Sequence, residues 1–152
     1  MPCVRNVDPM IFCDTSTLAK YYVFEPDSAA VRERLDAESG VMLSDLARAE
    51  LMGVFHRRLR ERRWDRQAFE ATVRQFQQDE RCGFWTWAPL DSRTTAEAAE
   101  AFASLPESVF LRTADCLHLV TARREGFKSL LTHNRHQLEA APSFGLDPVA
   151  VG

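Results

Sequence analysis

Asp14, Glu50 and Asp115 each stand where the neighbouring residues are apolar. Asp14 follows Met10-Ile11-Phe12-Cys13, Glu50 precedes Leu51, and Asp115 lies within Leu111-Arg112-Thr113-Ala114-Asp115-Cys116-Leu117-His118-Leu119. A carboxylate heading into a core is costly unless something compensates it. If the three converge, they repel and raise one another's pKa. A hard divalent cation relieves that without a protein cation. Oxygen donors with no His or Cys beside them favour Mg²⁺ or Mn²⁺ over zinc. A cation so held polarises a phosphoryl oxygen and activates water, which suits phosphodiester hydrolysis.

Convergence depends on the elements that carry these residues. Met10 to Cys13 reads as a short buried strand ending at Asp14, with Thr15-Ser16-Thr17 as the cap of a helix from Leu18 to Val23. A second helix runs from Ser28 to about Glu38 and is closed by Gly40. Val41 to Leu43 is a strand, and Leu46 to Arg63 a long helix with an arginine-rich outer side. Asp65 caps the next helix, in which Phe69, Val73 and Phe76 recur at helical spacing. Phe84 to Leu90 is a strand and Thr94 to Leu105 an alanine-rich helix. Thr113 to Arg124 is a helix closed by Gly126. Ser129 to Thr132, Arg135 to Ala141 and Pro148 to Val151 complete the pattern as strand, helix and strand. Short apolar strands alternating with helices predict a three-layer α/β/α sandwich with a mainly parallel central sheet. Sites in such sheets form at the carboxyl ends of the strands. Asp14 and Asn134 follow strands directly, while Glu50 and Asp115 lie in first turns of helices. All four can reach one region.

Composition narrows the class. The 152 residues are expected to form one domain, residues 1–152, with a real core. A formal net charge of −3 gives no global basic field of the kind many nucleic-acid binders carry. Cys3, Cys13, Cys82 and Cys116 show no metal-like spacing, and Cys13 and Cys116 read as core residues. A reducing, cytoplasmic setting is inferred. Met1 to Asp8 lacks the apolar run of a signal peptide. No stretch approaches the ~20 apolar residues of a membrane span, so no membrane partner is expected.

Four ordered segments resemble the motifs of PIN-domain proteins. Ile11 through Tyr22 is similar to their first motif, a strand delivering an aspartate followed by a small hydroxyl residue. Ser44 through Glu50 resembles the second, Leu111 through Leu119 the third, and Leu131-Thr132-His133-Asn134-Arg135-His136-Gln137-Leu138 the fourth. Size and third motif look most like the VapC-type toxins of toxin–antitoxin pairs. The resemblance implies a Mg²⁺- or Mn²⁺-dependent endoribonuclease that forms a homodimer. It also implies a small cognate antitoxin that covers the active site. On this likeness Asp14, Glu50, Asp115 and Asn134 are the catalytic set. The three acids would be metal ligands, and Asn134 a weak or water-mediated one. Ser16 and Thr132 would support the cluster; Arg112 and Arg135, next to the site residues in sequence, are candidate contacts for RNA phosphates. The family usually places an acid at the position of Asn134, so a second metal should bind less well here.

Blander readings apply to the same residues. Asp14 could be a helix cap, Glu50 a solvated residue paired with Arg57 or Arg58, and Asp115 a favourable charge at a helix N-terminus. His118, between leucines, reads first as a packing histidine. Arg57, Arg58, Arg60, Arg62 and Arg63 read as a solvated face that could alternatively bind RNA phosphates. Two other functions compete. A non-catalytic RNA- or partner-binding module follows if Asn134 disables the metal site. A haloacid-dehalogenase-like phosphatase is suggested by Asp14 after a strand, but that chemistry wants a second aspartate where Ser16 stands.

Overall fold

The computed structural model describes residues 11–152; the expectations that fall on Met1 to Met10, the start of the first strand among them, lie outside that range. β1 (Ile11–Phe12) leads into α1 (Thr15–Tyr22) and α2 (Ser28–Asp36). β2 (Val41–Ser44), α3 (Leu46–Arg60) and α4 (Arg66–Arg81) follow, then β3 (Trp85–Ala88) and α5 (Ser92–Ser104). α6 (Thr113–Arg124), β4 (Ser129–Leu131), α7 (Arg135–Ala140), a 3₁₀ turn (Ala141–Phe144) and β5 (Asp147–Val149) complete the order.

β1 pairs with β2 and β2 with β3, all parallel, with Ile11 opposite Val41 and Val41 opposite Trp85. β4 pairs in parallel with β5. A bridge from Cys13 to Leu131 joins the two groups, so the strands follow one another as β3-β2-β1-β4-β5. The parallel sheet expected from the alternating pattern is therefore present.

Alternation along each strand builds two cores. Ile11 and Cys13 face one side with Val41, Leu43 and Leu131, against Leu18, Leu35, Leu51 and Phe55 of the first three helices. Phe12 and Leu130 face the other side, against Leu119 and Val120 of α6. Period-two side chains on a sheet buried on both faces give the three-layer α/β/α sandwich.

Caps set several helix starts. Asp65 Oδ1 accepts from Ala68 N at 2.7 Å and Asp91 Oδ1 from Thr94 N at 3.0 Å, each satisfying an otherwise orphaned first-turn amide. The expected Leu46–Arg63 helix ends earlier, at Arg60. Arg62 turns left-handed at φ 58°, and the amides of Arg63 and Trp64 both return to Arg58 O. The strands β3, β4 and β5 end earlier than expected, at Ala88, Leu131 and Val149, whereas β2 runs one residue further, to Ser44. Cys13 and Cys116 are buried free thiols, whereas Cys82 is disulfide-bonded, so the cysteines do not support the reducing setting inferred from them. Among the described residues no helix is long and apolar enough to cross a membrane.

Candidate functional site

Asp14 sits at the carboxyl end of β1 in the middle of the sheet. Its amide donates to Leu131 O at 3.1 Å, which ties it to the end of β4. Ser16 Oγ donates to both carboxylate oxygens, at 2.7 and 2.9 Å, and Thr132 Oγ1 donates to Oδ2 at 3.0 Å. Thr17 N donates to Oδ1 at 3.1 Å, so Asp14 itself caps α1. The expectation that Thr15-Ser16-Thr17 would cap that helix is corrected. The acid does so, and the Ser16 hydroxyl is left to hold the acid. Ser16 Oγ also accepts from His133 N at 2.9 Å, and Thr132 Oγ1 from Asn134 N at 3.0 Å. The loops after β1 and β4 are thereby laced together around a carboxylate only 2 % exposed.

Asp115, in the first turn of α6, is buried as well. Its Oδ1 accepts from Asn134 Nδ2 at 3.2 Å and Gln137 Nε2 at 3.5 Å. Its Oδ2 is buried without a partner among the described residues. Burial raises the Asp115 pKa; the charges of Asp14 and Glu50 add to the rise, and His118 and Gln137 oppose it.

Glu50 reaches the same cleft from α3. Oε1 accepts from Thr15 Oγ1 at 2.7 Å and lies 2.5 Å from His118 Nε2. The bland reading that paired Glu50 with Arg57 or Arg58 is not what the structure shows; its partner is His118. Burial alone would raise the Glu50 pKa, but the His118 hydrogen bond and charge and the Thr15 hydroxyl bring it below the ordinary value. Burial alone would lower that of His118, yet Glu50, with help from Asp14 and Asp115, holds it above. His118 is fully enclosed in the acidic cluster rather than merely packed between leucines, and its Nδ1 has no partner among the described residues. The expectation that no imidazole stands beside the acids is thereby overturned.

Asn134 occupies the fourth corner with its oxygen turned away. Oδ1 accepts from His136 N at 2.8 Å and Gln137 N at 3.2 Å, capping α7. What it offers the cleft is the amide nitrogen bound to Asp115. Arg112 and Arg135 are not in the cleft wall; Arg135 is exposed and paired with Glu139 at 3.2 Å. Lys20, Arg57 and Arg58 line the cleft instead. Thr15, His118 and Gln137 were not picked out as site residues, although His118 is one turn from Asp115 and Gln137 one turn from Asn134, spacings that share a helix face.

These residues form the floor of a cleft of about 520 Å³ between α1 and α3. As the side chains stand, no three His, Cys, Asp or Glu among the described residues converge on a single metal-holding point. The donor set nonetheless fits a hard cation. Asp115 Oδ2 is an orphaned oxygen, costly in a buried place. A carboxylate has about four acceptor positions; Ser16 shares one hydroxyl proton between both oxygens of Asp14, so a cation there would displace that weak shared bond first.

Residues 11–142 match the family model described as PIN domain. None of the curated proteins compared matches the sequence significantly. Among solved structures, the chain superposes on Mycobacterium tuberculosis VapC20, described as a sarcin–ricin loop cleaving toxin, with a TM-score of 0.67 at 15% identity over 86% of this chain and 94% of that one. It also superposes on VapBC2 from Rickettsia felis, bound to a DNA fragment from their promoter. There the TM-score is 0.66 at 14% identity, over 94% of this chain and 100% of that one.

Proposed function

Because the chain belongs to the PIN-domain family, we propose that it is a divalent-metal-dependent endoribonuclease and the toxin of a VapC-type toxin–antitoxin pair. The observation that carries this reading is the meeting of Asp14, Glu50 and Asp115, drawn from three distant segments to one cleft floor, with one buried carboxylate oxygen left unpartnered. Asp14 and Asp115 would hold a Mg²⁺ or Mn²⁺ ion, with Glu50 as third acid. When bound, such an ion polarises a phosphoryl oxygen and acidifies a water. The chain's own residues prepare that position. Ser16 and Thr132 fix the Asp14 carboxylate, Asn134 and Gln137 fix Asp115, and Thr15 and His118 fix Glu50. Asn134 acts as a positioning residue in this scheme, because its oxygen is committed to α7.

Residues 1–152 would act as one nuclease domain. A second copy of the chain and a small antitoxin that covers the cleft are the protein partners this reading implies. Incubating the protein with RNA and Mn²⁺ tests the activity: breakdown that stops on chelation supports it, and breakdown indifferent to chelation removes the metal from the scheme.

One observation favours a second reading, a non-catalytic RNA- or partner-binding module. The Asn134 oxygen and Glu50 Oε1 are both engaged within the protein. Calorimetric titration with Mn²⁺ separates the two, since saturable binding supports the nuclease and no binding supports the module. The phosphatase reading gains no support, as Ser16 occupies the place of its second aspartate.

A further inference from the structure

Above the acidic floor, the α3 wall of the cleft carries Gly53, Val54 and Arg57, one and two turns beyond Glu50. Gly53 is inside a 15-residue helix, where glycine is unfavourable relative to alanine. A Cβ built on it meets nothing within 4 Å, so no packing within the described residues requires a glycine there. The result is a bare stretch of helix backbone facing the cleft. Arg57 is exposed and has no acidic partner among the described residues. Its neighbours in the cleft are neutralised, Lys20 by Glu25 at 2.7 Å and Asp27 at 2.9 Å, and Arg58 by Glu25 at 3.3 Å. Across the cleft, Phe24 stands between the lining residues Val23 and Glu25 with 84% of its surface exposed, a position folding does not favour.

The geometry points to a single-stranded RNA track between α1 and α3, with Arg57 on a phosphate, Gly53 admitting the sugar–phosphate backbone close to α3, and Phe24 stacking a base at the rim. This rests on the ribonuclease reading of the acidic floor. Seven helical residues separate Glu50 from Arg57, a rise of about 10 Å. The arginine therefore meets a phosphate beside the scissile one rather than the scissile one itself. Its charge complements a polyanion. An exposed aromatic ring binds bases only where they are unstacked, which a single strand or loop provides and a duplex does not.

The experiment measures binding of a short labelled single-stranded RNA, and of the matched duplex, to Asp14→Asn protein by fluorescence anisotropy across a salt series. Adding Phe24→Ala should weaken single-strand binding about tenfold. Adding Arg57→Ala should reduce the log–log salt slope by about 0.7, the loss of one phosphate contact. Gly53→Ala separates the track from a structural role: it should raise the melting temperature while weakening RNA binding. Unchanged RNA affinity in all three variants overturns the track and leaves the groove to a protein segment; duplex bound as tightly as single strand also overturns it. Variant-sensitive RNA binding by a wild type that never cleaves RNA supports the track and fails the nuclease reading alone.

Discussion

Glu50 and His118 tie one anionic corner of the cleft to a buried imidazole across 2.5 Å. The pair has a definite pH signature. His118 has its folded-state pKa raised above 6.5, so its contribution is complete below about pH 6.5 and fades as pH rises through the elevated value. Glu50 has its value lowered from 4.5, so its contribution is present above that pH and fades as pH falls through the lowered value. Metal-free protein should therefore lose stability on going from pH 6.5 to more alkaline solution, and His118→Gln should flatten that decline. Thermal melts across the range check it; parallel curves for wild type and variant would show that the pair contributes nothing. Of the site residues, the acids were legible because a carboxylate beside apolar residues is conspicuous. His118 was not, because a histidine between leucines looks the same whether its ring meets a carboxylate or a carbonyl.

At the scale of elements, α7 is set by Asn134, whose oxygen satisfies two first-turn amides while its nitrogen holds Asp115. Asn134→Ala should cost about 1 kcal/mol in chemical unfolding, a typical cap loss. Asn134→Asp keeps a capping oxygen but sets a second carboxylate against Asp115. It should lower the metal-free melting temperature and enlarge the rise on adding Mn²⁺. An Asp variant that melts and responds as wild type does would mean that the fourth corner does not face the metal. Helix existence was readable throughout, since α6 runs from Thr113 to Arg124 as its sequence pattern predicts. Ends were less so. The left-handed turn at Arg62 that stops α3 is carried by a non-glycine residue, which no turn signal marks. Asp14 as the cap of α1 was one of two readings, because adjacent hydroxyl residues offer the same service.

For the whole molecule, the parallel sheet and its two cores followed from strand alternation, and the cleft follows from the sheet, because β1 and β4 are neighbours and both end at it. Which cations face the cleft did not follow. Arg112 and Arg135 adjoin site residues in sequence, yet the α1–α3 wall brings in Lys20 and Arg57 instead. Phe55 shows how the first core supports that wall: it is fully buried, with ring centroids 5.9 Å from Tyr22 and 5.6 Å from Trp64. Phe55→Ala should cost about 3–5 kcal/mol in urea unfolding, and a loss below about 1 kcal/mol would show that α3 is held some other way. The central claim is that Asp14 and Asp115 act together on RNA through a divalent cation. It is tested by RNA cleavage with Mn²⁺ or Mg²⁺ for wild type, Asp14→Asn and Asp115→Asn, each first shown to be folded by its melting curve. The account predicts cleavage by wild type only, with the loss in each variant on the order of a hundredfold or more, as when a group acting in the transition state is removed. Equal cleavage by all three folded proteins would contradict it.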